Sequence, residues 1–235
     1  MQPISKHHSI LKAFLSELPS ANLPCNFRMQ VALSDSFTGN NLFAFLLLVA
    51  IVGALTLALA ALSSKCLQVT QAKNSAKRLL NPIPVTTAAL ILGMGMGGLF
   101  DGIVFHQILQ WHSMLSNSIP PLTSNAVHIN MFWDGLFHFV MLLVVGTGVV
   151  AMLRLVSRPD IDFSPRLFSG GMLAGWGIFN LIEGTINHHM FKLHNVRENT
   201  EEAGLYNIIF MASSLAIFLI GGYFLKTTLA KAVVS

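Results

Sequence analysis

The chain has 235 residues, 53% of them hydrophobic and only 10% charged, with a formal net charge of +4 and a mean hydropathy of +0.64. A soluble domain carries about 25% charged residues, so this composition points to a small integral membrane protein with one compact domain. No basic stripe with interleaved aromatics is present, which excludes nucleic acid as a partner, and two cysteines, Cys25 and Cys66, are too few for a disulfide framework and lack metal-binding spacing.

Residues 1–40 form a polar leader. Within it, "HHSILKAFLSEL" places Ile10, Leu11, Phe14, Leu15 and Leu18 so as to form an interfacial amphipathic helix; a disordered leader is the plain alternative. His7 and His8 carry no role in either reading. Residues 41–235 read as a single transmembrane helical domain. A span needs about 20 apolar residues, and five segments meet that: Leu42–Leu62, Val85–Leu109, about Asn130 to Leu155, about Phe168 to Met190, and Leu205–Leu225. The first lies too deep in the chain, and is too long, for a typical signal peptide. The expected fold class is all-α, a polytopic membrane bundle of about five helices, with a four-helix core plus an N-terminal helix. No internal repeat is visible at a fixed period.

Loop charge gives the orientation. Lys65, Lys73, Lys77 and Arg78 follow the first segment; Ser113–Val127 holds no Lys or Arg; Arg154, Arg158 and Arg166 follow the third; Lys226 and Lys231 end the chain. The loop after the fourth is balanced, with Lys192 and Arg197 against Glu198, Glu201 and Glu202. The reading is an N-terminus outside and a C-terminus in the cytoplasm of a bacterial inner membrane, although Lys6, Lys12 and Arg28 of the leader run against it.

Three acidic residues lie inside apolar segments: Asp101, Asp134 and Glu183. Each costs about 2.5–3.5 kcal/mol at a helix centre on insertion scales. Seven of the nine histidines accompany them: His106, His112, His128, His138, His188, His189 and His194. Segments two and four run outward and segment three inward, so alternating direction gathers all of these groups into one outer half of the bilayer. Asp101, His138 and Glu183 form the deepest tier, and His112, His128 and His194 a rim. Asp134 and His138 share a helix face at i,i+4. Asp101 and His106 are i,i+5, about 140° apart on an ideal helix, and both face inward only where the helix is locally wide or sits centrally. The bare run "GMGMGG", Gly93–Gly98, permits close helix approach. Trp111 and Trp133 suit interfacial anchoring.

Carboxylates with imidazoles are the ligand set of Zn, Fe, Mn or Cu(II). The candidate metal ligands are Asp101, His106, His112, Asp134, His138, Glu183, His188, His189 and His194, and their number allows two ions bridged by carboxylates. Asn180, Asn187, Gln107 and Gln110 would orient them. The plain alternative is that paired Asp and His simply hold the bundle together.

The motifs "FDGIVFHQILQWH", "MFWDGLFH" and "GWGIFNLIEGTINHH…LHNVRE" resemble a bacterial family of predicted membrane proteins, known only as domain of unknown function twenty-two forty-three. The likeness covers about Leu90 to Glu202. Asp101, His106, Gln107, His112, Asp134, His138, Glu183, His188, His189, His194, Arg197 and Glu198 match its motif positions. Ser113, Asn195 and Asn187 depart from it, the first two where histidine is common and the third where aspartate is. The resemblance implies no activity. The residues themselves favour a metal-dependent membrane enzyme holding Cu, Fe or Zn, an oxidoreductase slightly ahead of a hydrolase. The alternative is a metal or haem binding or transfer protein, or an accessory subunit of a respiratory or monooxygenase complex. A homo-oligomer is open, and a proton pathway is weaker because the inner half offers no acidic continuation.

Overall fold

The structure, a computed structural model, describes residues 39–73 and 80–234, with side chains over 40–66 and 80–228. The leader with its interfacial-helix reading, and Lys77 and Arg78, lie outside the described residues. Five helices appear among those described: α1 (Gly39–Lys73), α2 (Ile83–Phe100), α3 (Ser124–Leu153), α4 (Pro165–Glu183) and α5 (Ala203–Val234). Two of them do not end as α-helices. α2 continues as a π-helix over Asp101–Ile108, and α4 as a π-helix over Gly184–Met190.

Local chemistry explains the helix starts. α2 and α4 both open with a proline in the first turn, where its missing N–H costs nothing. Thr123 caps α3 by accepting the Ala126 N–H at 3.2 Å. At the opposite end from the π-helices, the segments entering α2 and α4 are tied together: Asn81 N donates to Asp160 O at 2.9 Å and Asp162 N to Asn81 O at 3.2 Å.

Among the described residues, four helices are long and apolar enough to cross a membrane: Asn40–Cys66, Ile83–Ile108, Ser124–Leu153 and Ala203–Thr228. The fourth expected span, α4, falls short of that hydropathy. It is packed between α2 and α5, so its surface meets protein rather than lipid, and it buries Gly170, Gly171, Gly175, Gly177, Asn180 and Glu183. Apolar side chains on the outer faces of the other helices remain exposed, among them Leu46, Leu57, Leu142, Ile208 and Leu219. Such a girdle is intolerable in water and natural in lipid.

α2 and α4 sit at the centre, flanked by α3 and α5, with α1 against α2. The centre is tight because it is built on glycine. A Cβ on Gly93 would lie 2.1 Å from Met172 O, and one on Gly175 would lie 2.1 Å from Leu90 O. Backbones therefore touch where Gly93–Gly98 left α2 bare, as the sequence suggests. Trp133 departs from its expected place: it is 0% exposed, edge-on to Phe45 at 5.3 Å, because α1 covers it. It is a core residue rather than an interfacial anchor.

Gly93→Ala or Gly175→Ala should lower the melting temperature in detergent, since overpacking against backbone costs about 1–3 kcal/mol. Gly146→Ala, where a Cβ meets nothing within 4 Å, should leave it unchanged.

Candidate metal centre

The two π-helices solve the problem of reach. In an α-helix, residues five apart diverge; the i→i+5 hydrogen bonding of a π-helix brings them onto one face. Each π-helix begins at or just after an acidic residue. Asp101 Oδ2 lies 3.3 Å from His106 Nε2, and Glu183 Oε1 lies 3.2 Å from His188 Nε2. Of the two ways in which Asp101 and His106 could both face inward, the helix is locally widened and also central, and α4 is widened in the same way.

Beyond each π-helix the chain reverses through a residue in the left-handed region, Gln110 or Lys192, both with φ 51°. The reversal returns the next histidine to the bundle. His112 is 4% and His194 0% exposed, so these two are not a rim. The loops that carry them clasp each other. Glu198 N donates to Trp111 O at 3.0 Å, and Asn117 N to Leu193 O at 2.9 Å. The Arg197 guanidinium sits over the rings of Trp111 and Tyr206, at 5.3 and 5.1 Å.

Hydrogen bonds orient the imidazoles. His112 Nδ1 donates to Val196 O at 2.7 Å, and His194 Nδ1 donates to Met114 O at 2.9 Å. A carbonyl only accepts, so in each ring Nδ1 carries a proton. His106 Nδ1 lies 2.8 Å from Asp134 Oδ1 and its Nε2 3.3 Å from Asp101 Oδ2, and His194 Nε2 lies 3.3 Å from Glu183 Oε1. The donor atoms converge. Donor atoms of His106, His112 and His194 lie within 4.8 Å of one another, and so do those of Glu183, His188 and His194.

This convergence is costly as it stands. Both Asp101 oxygens, Glu183 Oε2, the Nε2 atoms of His106, His112 and His194, and both His188 nitrogens are buried without a hydrogen-bond partner. Each buried unsatisfied group costs about 1–3 kcal/mol, and more when charged. A cation among them would satisfy most at once. His112, in the loop outside the spans, is pushed well below its ordinary value by burial and then by its neighbours His106, His194 and His188, so it stays neutral with its lone pair available.

The remaining candidates fall elsewhere. Asp134 stands behind His106 and also accepts the Met114 N–H at 2.8 Å. His138 is half-buried, its ring over Gly102 and 6.5 Å from that of His106, outside both donor groups. His189 and His128 are exposed, because their helical positions turn them away from the cluster. Asn187, where the family resemblance leads one to expect an acid, donates to Glu183 Oε1 at 3.2 Å. Sequence reasoning missed Asn130, whose Oδ1 accepts Leu115 N at 3.0 Å and whose Nδ2 donates to Ile119 O at 2.8 Å, fixing the first loop. A polar residue one turn before Asp134 on the same face was the available signal. A cavity of about 430 Å³ opens beside His106 and His112, lined also by Gln107, Trp111, Ser113 and Glu198.

No curated protein and no solved structure matches the chain. Residues 88–228, running from within α2 to within α5 and including every residue of the cluster, match the family described as predicted membrane protein, DUF2243. The resemblance carried by the three motifs thus holds, and the chain belongs to that family.

Proposed function

We propose that the protein is a membrane metalloprotein in which His106, His112 and His194, with Asp101, Glu183 and His188 beside them, hold a divalent transition metal. The observation that carries this is the imidazole pattern. Three buried imidazoles are each tied through Nδ1 to a carbonyl or carboxylate, and one donor atom of each lies within 4.8 Å of the others. That is how metal-bound histidines are held. The donor set, imidazole and carboxylate without thiolate, suits Zn, Fe or Cu(II). Two carboxylates offset one divalent charge, which is what makes such a site tolerable in a medium of low dielectric.

Haem is disfavoured by space. Five of the six pairings of the four rings stand 4.3 to 6.1 Å apart, centroid to centroid, and leave no slot for a macrocycle between them. A transfer role is disfavoured by access, since the donors lie beneath two interlocked loops rather than on a surface from which metal is handed on. The reading favoured is a resident centre acting on a small substrate that enters by the cavity at the His106–His112 edge. Bound there, the ion would supply Lewis-acid or redox chemistry. We favour an oxidoreductase over a hydrolase because six donor side chains exceed the three of a typical catalytic zinc site. Loop charge supports a centre toward the non-cytoplasmic side of a bacterial inner membrane.

Two measurements check this. Elemental analysis of gently purified protein should find a transition metal, at lower content in His112→Ala and His194→Ala and at unchanged content in His128→Ala and His189→Ala; equal content in all four variants would count against the assignment. Arg197→Ala should keep its metal yet release it faster to a chelator, because the loops lose their cross-brace over Trp111 and Tyr206.

A further inference from the structure

No repeat shows at a fixed period in the sequence, yet the fold contains one. Residues 93–112, GMGMGGLFDGIVFHQILQWH, align without a gap with residues 175–194, GWGIFNLIEGTINHHMFKLH. Both stretches pass from α-helix to π-helix at the acidic residue, and both reverse at φ 51°. They also close with matching backbone bonds: Leu109 N to Val104 O and Trp111 N to Phe105 O in one, Phe191 N to Ile186 O and Leu193 N to Asn187 O in the other.

Contacts between the two stretches are reciprocal. Gly93 abuts Met172 O, and Gly175 abuts the equivalent Leu90 O. α3 and α5 follow suit. Gly102 faces Phe137 and His138 as Gly184 faces Phe210 and Met211, and Gly148 faces Leu92 as Gly221 faces Ala174. α2–α3 and α4–α5 are therefore two copies of one helical hairpin. Because both π-helical ends meet in one cluster, the twofold axis relating them runs along the helices.

The cluster obeys this symmetry. Ring centroids of His106 and His112 are 4.3 Å apart, and those of His188 and His194 4.8 Å. Across the axis, His106–His194 is 5.6 Å and His112–His188 6.1 Å. His112 and His194 straddle the axis, stacked at 4.6 Å and 5° from parallel. Each also donates its Nδ1–H to the other hairpin's loop, at Val196 O and Met114 O, which are equivalent positions.

We propose that the centre holds two metal ions, one per hairpin: the first on Asp101, His106 and His112, the second on Glu183, His188 and His194. This rests on the metal-centre reading above. His194 belongs to both donor groups, but one ligand nitrogen serves one ion. Its assignment to Glu183 and His188 leaves the first ion to be completed by Asp101, 3.3 Å from His106 Nε2.

The two positions are not alike. Asp134 and Asn207 are equivalent: Asp134 Oδ1 accepts Met114 N at 2.8 Å, and Asn207 Oδ1 accepts Val196 N at 2.9 Å. Asp134 Oδ1 also accepts the His106 Nδ1–H. Asn207 instead donates its amide to Asn195 Oδ1 at 2.9 Å, and His188 Nδ1 has no hydrogen-bond partner. The first position has an anion behind its histidine and the second does not, so the first binds more tightly.

The test strips full-length protein in detergent with a chelator and titrates it with Co(II), read by visible absorption, with stoichiometry fixed by elemental analysis. Two equivalents binding in two steps are expected. Asp134→Asn should weaken the tighter step about 10–100-fold, the usual effect of removing a ligand's outer partner, and Asn207→Asp should strengthen the looser one. His106→Ala and His188→Ala should each retain one equivalent. A single equivalent in the wild type, abolished in both alanine variants, overturns the two-ion inference and leaves the metal-centre reading standing. No binding of Co(II) at all overturns both. Two equal steps untouched by the Asp/Asn exchanges overturn the inequivalence. The exchanges are nearly isosteric, so they decide the matter even where an alanine variant does not fold.

Discussion

His112 and His194 each donate a proton across the middle of the molecule, to Val196 O and Met114 O, and the closed end of the bundle depends on that exchange. Each loop holds the imidazole that the other loop supplies. The same bonds fix the two rings, and thereby aim their Nε2 atoms into a space that helix backbones alone would have left to apolar packing. The neighbouring amides extend the arrangement. Met114 N is held by Asp134 and Val196 N by Asn207, so the carbonyls that orient the histidines are themselves pinned to α3 and α5. A buried carbonyl or amide without such partners would cost more than it contributes. The loops are therefore ordered by the groups they orient.

That arrangement places stability and function in tension. The bundle could close over this end with leucine and phenylalanine, as it does around Met94, Phe137 and Phe179, at no electrostatic cost. It buries carboxylates and bare nitrogens instead. Intramembrane ionisable groups are expensive and mark function by default, and here the expense is concentrated in one place. The glycine contacts of α2 and α4 supply the rigidity that holds it there. Backbones that meet at Gly93 and Gly175 leave little freedom for the helix ends to splay, and π-turns, which are individually unfavourable, persist where the surroundings determine them.

Much of this was legible in the residues. Hydropathy marks the helices, alternating direction gathers the ionisable groups at one end, and the spacing of Asp101 and His106 calls for a helix that is locally wide or central. What escaped notice has physical reasons. α4 lacks the hydropathy of a span because its surface faces protein. His112 and His194 were assigned to a rim because a helical rise of about 1.5 Å per residue takes no account of a chain that reverses at Gln110 and Lys192. Trp133 suits an anchor by sequence because nothing in its own helix announces that α1 covers it. The duplication stayed hidden because the two halves agree at backbone-critical and ligand positions, glycine, acid and histidine, and differ almost everywhere lipid or core will accept any apolar side chain. The loops that join each pair of helices also differ in length, which breaks a fixed period.

A duplicated hairpin also accounts for why both halves of the cluster sit at one end. A unit that runs out and back returns the chain to the side from which it started, so a second copy enters with the same orientation as the first. Equivalent residues of the two copies then lie at the same depth, related by an axis along the membrane normal, as in parallel-repeat transporters. A unit of one or three helices would have inverted its copy and put the two acid–histidine sets on opposite faces, where they could never meet. Once the copies face each other, a residue on the axis contacts its own equivalent, as His112 does His194, and a single ancestral ligand set becomes a pair. From there the halves are free to diverge by one substitution at a time. Asp134 against Asn207 is such a divergence, a difference of one charge placed behind one histidine and withheld from the other.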